Sequence, residues 1–173
     1  MYIAGARIQS MKRMLIAWLV AASLLEAGAS RAYIDPPLPS INVQVFDGVK
    51  RTHFVPLPPG RTYLSATLSV TAASPVLVDV YVGAILPDGR VLYWVGGPQA
   101  LTVVASAAPI PFLTKFAATE TTTYTLRYDF TADNLQGWYW LFGVVTDAGQ
   151  DLFNARWWSS TDFFPFVVTP AAQ

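Results

Sequence analysis

The 173-residue sequence contains no cysteine. That excludes a disulfide framework, a thiol nucleophile, a thiolate metal site and a lipid-anchored cysteine behind a leader peptide. His53 is the only histidine, so no two-histidine metal cluster can form and little is left for imidazole base catalysis. Charge is scarce and balanced, with 11 basic and 11 acidic residues making up 13% of the chain. A surface without basic excess has little to neutralise a phosphate backbone, which argues against nucleic-acid binding by charge. No window of helix length carries a 3.6-residue apolar period with caps, and neither a repeat nor a low-complexity tract is present. Apolar residues, by contrast, are abundant at 53%, and aromatic residues reach 14%.

The first 32 residues read as an address. Met11-Lys12-Arg13 precedes the uncharged, almost wholly apolar run Met14–Leu25, which Glu26 closes before the small residues Ala27-Gly28-Ala29 and Ser30-Arg31-Ala32. This three-part layout predicts a secretory signal peptide over 1–32, cut after Ala29 or Ala32. Residues 1–10 look like a coding-start extension, since Met11 begins a more typical signal. Twelve residues are too few to cross a hydrocarbon core, which takes about 20. Removing 1–32 leaves 7 basic and 10 acidic side chains, a net charge of −3. That suits an exported chain that spans no membrane and has no attraction to an anionic bilayer.

Residues 33–40 form a proline-rich leader, and 41–170 are expected to be one β-sandwich domain. Period-two alternation marks the strands. Ile41–Val45 alternates. Leu64, Ala66, Leu68 and Val70 oppose Tyr63, Ser65, Thr67 and Ser69. Val78, Val80, Val82 and Ala84 oppose Asp79, Tyr81, Gly83 and Ile85. Pro87-Asp88-Gly89 then predicts a type I turn feeding a bulged hairpin with Arg90–Val95 as the returning strand. Further strands are expected at Leu101–Val104, Thr123–Phe130, Trp138–Thr146 and Phe163–Val168, with Pro165 pointing to an edge or a bulge. The stretch 106–122 is expected to carry little regular structure. Seven to nine short strands read as an antiparallel sandwich.

Two of these stretches resemble a known family. Asp79–Gly89 is similar to the D-V-Y-V-x-x-x-x-P-D-G hairpin, and Gly137–Thr146 to the G-x-Y-x-x-x-x-x-x-T strand, of immunoglobulin-like modules in exported bacterial proteins. The resemblance spans roughly residues 60–170 and implies an immunoglobulin-like fold. Its members are usually non-catalytic spacers, adhesion units or accessory domains. It places Tyr139 where a corner tyrosine ties a strand entrance to the backbone. Leu141 stands where antibody domains carry a cysteine, so an antibody-type domain is excluded.

Chemistry-bearing residues are sparse. No Gly-x-Ser-x-Gly elbow accompanies His53, which lies beside Lys50 and Arg51. Glu120 is the only glutamate beyond the leader, and Asp47, Asp88, Asp133, Asp147 and Asp151 sit in turn sequences, where aspartate bonds local amides. Glycosidase chemistry, which needs paired acids, is therefore not expected. Asp147–Asp151, or Asp129 with Asp133 and Asn134, offers oxygens for calcium but lacks a calcium-loop pattern. No cofactor and no metal are expected. The surplus lies in the aromatics, because both faces of Trp138–Thr146 are apolar where one should suffice. Trp94, Trp138, Trp140, Phe142, Trp157 and Trp158 are the expected ligand or partner surface, unless loops fold over them. The expected function is an exported, non-catalytic interaction or structural module of the bacterial envelope or extracellular space. A carbohydrate-binding module stacking sugars on those rings is the alternative.

Overall fold

The computed structural model describes residues 39–57, 62–69, 77–97, 101–126, 128 and 136–170. The expected signal peptide, most of the proline-rich leader and the turns at 58–60, 74–75 and 133–135 lie outside the described residues. All described residues belong to one unit, Asp35–Gln173. They are all-β: β1 (Ser40–Asp47), β2 (Lys50–Arg51), β3 (Phe54–Pro56), β4 (Thr62–Ser69), β5 (Leu77–Ile85), β6 (Val91–Val95), β7 (Thr102–Ala105), β8 (Leu113–Ala117), β9 (Thr122–Leu126), β10 (Gly137–Asp147) and β11 (Trp158–Thr169). A 3-10 turn, Ala155–Trp157, precedes β11.

The strands form two sheets in a sandwich-like arrangement. The smaller runs β2-β1-β4-β9, and the larger β3-β11-β10-β5-β6-β7. The first half of β5 pairs with β8 and the second half with β6. Pairing is antiparallel except between β3 and β11. Alternation decides which side chains enter the core. Ile41, Val43 and Val45 of β1 and Leu64, Ala66 and Leu68 of β4 face Val78, Val80, Val82 and Ala84 of β5. The same apolar layer takes Tyr139, Leu141 and Val145 of β10 and Phe164, Phe166 and Val168 of β11. Tyr139 stacks on Phe166 with centroids 5.2 Å apart. Gly143 keeps the two sheets close: a Cβ there would lie 2.8 Å from Ile41 Cδ1 and 2.9 Å from Val43 Cγ1.

The hairpin forms as its turn chemistry requires. Leu86 N–H donates to Arg90 O at 2.9 Å, and the Asp88 carboxylate accepts from Arg90 N–H at 3.0 Å. Gly89 takes the left-handed φ of 82° that a side chain would resist.

The eleven strands among the described residues exceed the expected seven to nine because three short ones have no alternation long enough to read. β8 falls inside 106–122, where little regular structure was expected. It is a tertiary product: the Asp79 carboxylate holds Lys115 N–H at 2.7 Å, with Lys115 at φ 49°. β11 starts at Trp158, five residues before Phe163, as a continuation of the pairing with β10. Pro165 fits the strand because of its direction. Val167 N–H points away from β10 and donates to His53 O at 2.8 Å. Two residues earlier the same side has no paired strand, so the missing proline N–H removes no ladder bond.

Candidate functional site

The outer face of the larger sheet carries two regimes. Toward its middle, β-register places Phe163, Phe142, Gly83 and Tyr93 in one row across four strands. Gly83 makes room for its neighbour: a Cβ there would stand 2.3 Å from Phe142 Cζ and 2.7 Å from Leu92 O. Phe142 and Tyr93 meet edge to face at 5.9 Å, and Phe142 and Phe163 lie 6.4 Å apart. These rings bury one another, leaving Phe142 only 6% and Tyr93 only 3% exposed. Burial, with a smaller contribution from Tyr81, pushes the Tyr93 hydroxyl pKa up to about 12. Tyr81 is raised as well, by burial first and then by the nearby Asp79 and Asp151 carboxylates.

Toward the start of β10 the face is open. Trp138, Val167 and Phe54 form one row over β10, β11 and β3. Trp140, Pro165 and Ile85 form the next. Phe54 is 64% exposed, Trp138 59% and Trp140 36%. Val167 and Pro165 lie between these rings, and Ile85 flanks Trp140 on the β5 side. At roughly 200 Å² per ring, the exposed aromatic surface is on the order of 300 Å². Contiguous patches of that size on a monomer are often functional.

The six aromatics expected to share one surface therefore do not. Trp138 and Trp140 lie side by side in the open patch. Trp94 is in the core at 1% exposure, because the period of β6 turns it inward against Tyr128 at 6.2 Å. Phe142 is on the outer face but covered by neighbouring rings. Trp157 and Trp158 are half-buried beside the 3-10 turn, at the far end of β10, where Trp158 pairs with Thr146. The Trp158 indole N–H donates to Leu152 O at 2.7 Å, and the Arg156 guanidinium lies 5.2 Å from the Trp157 ring. Phe54 is the patch member that the sequence did not suggest. It sits in a three-residue strand between breaks, and only the parallel pairing with β11 carries it to Trp138.

The other candidates resolve into structural roles. His53 stacks on Phe164 with centroids 4.3 Å apart, and its Nδ1 lies 2.6 Å from Pro165 O. Its close polar partner is a carbonyl rather than an acid. Asp79, 4% exposed, is the buried carboxylate that the pattern left unremarked within a valine-rich strand. Its Oδ1 accepts from Lys115 N–H and its Oδ2 from Gly149 N–H, each at 2.7 Å. Two backbone donors give this charge the partners a buried ion requires. Asp151 accepts from Phe153 N–H at 2.9 Å, an ordinary turn bond. Among the described residues no three His, Asp or Glu side chains converge as metal ligands. Asp129, Asp133 and Asn134 lie outside the described residues. Tyr139 is buried, and residues 129–135 just before it lie outside them too.

Fold and surface together define a class: an all-β, cysteine-free sandwich with an apolar aromatic patch at one end of its larger sheet. No protein-family model, no curated protein and no solved structure matches the chain.

Proposed function

We propose that this chain is an exported, non-catalytic, immunoglobulin-like module that binds a partner protein through Trp138, Trp140, Phe54, Val167 and Pro165. The observation that carries the reading is the in-register apolar patch. Trp138, Val167 and Phe54 stand in one row, and Pro165 and Trp140 in the next. Aromatic side chains surrounded by apolar neighbours are the anchors that protein interfaces favour. A sugar platform would pair its rings with hydrogen-bonding side chains, and Val167, Pro165 and Ile85 supply none.

Strand order supports the immunoglobulin-like part of the reading. A variable-type sandwich places its first, second and seventh strands in one sheet, with the sixth at its edge. Its last two stand beside the third in the other, extended by two further strands. Here β1, β4 and β9 occupy one sheet, while β11, β10, β5, β6 and β7 follow one another in the other. The basic, apolar and small-residue succession over 11–32 supports export, and the resemblance of the two motifs supports a bacterial envelope or extracellular setting. The carbonyl contact of His53 and the backbone partners of Asp79 support a non-catalytic role.

The test presents the wild-type chain and F54A/W138A/W140A to an envelope extract and to a glycan array. A protein retained by the wild type and lost by the triple variant is the expected result. A glycan bound only by the wild type would replace this reading with the carbohydrate one. Turnover abolished by His53→Ala or Glu120→Ala would overturn the non-catalytic assignment.

A further inference from the structure

The aromatic patch runs up to the β3 side of the larger sheet, and the backbone along that side has a consistent property. A strand offers its N–H and C=O groups to alternate sides, residue by residue. In β3, His53 O accepts from Val167 N–H at 2.8 Å, and Leu57 N–H donates to Thr169 O at 3.0 Å. His53, Val55 and Leu57 therefore face β11, which leaves Phe54 and Pro56 to face outward. The outward Phe54 N–H donates to Thr52 Oγ1 at 3.0 Å, and the same hydroxyl reaches Phe54 O at 3.1 Å. Pro56 has no N–H to offer.

The exposed side of β11 continues the pattern before β3 begins. Phe163 N–H donates to Asp162 Oδ1 at 3.0 Å, Pro165 has no N–H, and Pro165 O lies 2.6 Å from His53 Nδ1. On the adjoining edge of β1, Ile41 N–H donates to Ser160 Oγ at 3.0 Å and Val43 N–H to Asp162 Oδ2 at 2.8 Å. Strand addition is driven by main-chain hydrogen bonds. From Phe163 along β11 and then through β3, the donors such a strand would need are capped by a side chain, paired across the ladder, or absent.

We infer that this edge is closed to strand addition by Thr52, Pro56, Asp162 and Pro165. An extended segment pairing with β3 would bring one apolar residue in every two over Phe54, but it would find no free N–H there. The same closure keeps copies of this chain from joining edge to edge through an apolar surface, the usual hazard of an exposed strand.

Two measurements on the full chain test the closure. Amide exchange at Phe54 should be slowed at least about tenfold in the wild type relative to Thr52→Val, at unchanged far-ultraviolet circular dichroism. Equal exchange in the two would overturn the capping. Sedimentation should show T52V/P56V self-associating with rising concentration while the wild type does not, and F54A/W138A added to the opened variant should leave that association in place. Failure of the opened variant to associate more than the wild type overturns the inference. Association that vanishes with the aromatic pair also overturns it, because the contact would then be through the patch and not the edge. Neither result bears on whether the patch binds a partner, which the extract experiment reads separately.

Discussion

Tyr139 and Trp138 are neighbours on β10 that point to opposite sides of the larger sheet, so truncating each separates core from surface on a single strand. Tyr139 is 1% exposed and stacked on Phe166. At roughly 25 cal/mol per Å² over a ring of about 200 Å², Tyr139→Ala removes up to about 5 kcal/mol of burial, and core aromatic truncations typically cost about 3–5 kcal/mol. Trp138 is already 59% exposed. Its buried remainder, on the order of 100 Å², is worth at most about 2.5 kcal/mol and less against a realistic unfolded chain. With the Trp138 figure reduced for a realistic unfolded chain, the expected gap between the variants is about 2 kcal/mol. Urea unfolding of each variant at 25 °C, followed by tryptophan fluorescence and by circular dichroism, measures it. Binding should respond in the opposite order, with Trp138→Ala losing the partner while still folded. Destabilisation of the two that agrees within about 0.5 kcal/mol would refute the assignment of Trp138 to an open face.

Gly143→Ala should destabilise by about 1–3 kcal/mol, since its methyl group would press on Ile41 and Val43 across the sheets. Adding Ile41→Val removes the nearest of those atoms and should recover part of the loss in the same urea assay. Asp79→Asn should cost about 2–4 kcal/mol, because an amide can accept only through its single oxygen while the carboxylate serves Lys115 and Gly149 together. Faster amide exchange at both residues would accompany that loss. Stability should fall as pH rises above about 10. Tyr93 and Tyr139 hold their protons up to about pH 12 when folded but release them near 10.0 when unfolded, so the unfolded chain binds fewer protons in that window. Phenolate titration of the wild type against Tyr93→Phe and Tyr139→Phe checks this: a phenolate signal lost in either variant at a pH where the wild type is still folded by circular dichroism would contradict the burial of these hydroxyls. The expected signal peptide predicts a mature N-terminus at Ser30 or Tyr33, read by mass spectrometry of the exported protein.

Period-two alternation over long stretches was enough to divide the residues of β1, β4, β5 and β10 between two faces, because each residue on a pleated strand has only two directions to point. Turn chemistry did the same for Pro87-Asp88-Gly89, where glycine alone takes the required φ without strain. The separation of Tyr139 from Trp138 and Trp140 was legible for that reason. The disposition of the aromatics beyond β10 was not. Trp94 is one of a short run of apolar residues on β6 whose inward phase is set by pairing with β5, and Phe142 is covered only because Gly83 on the next strand leaves it space. Phe54 joins the patch through a parallel pairing of residues more than a hundred positions apart in sequence, a relation with no local signature. Alternation gave no sign that Asp79 is buried, and it took β8 and the turn after β10, folding back in three dimensions, to supply its two donors. Local propensity and alternation thus specify which way a side chain faces, whereas exposure depends on what the rest of the chain brings beside it, and that is decided by strand order and register.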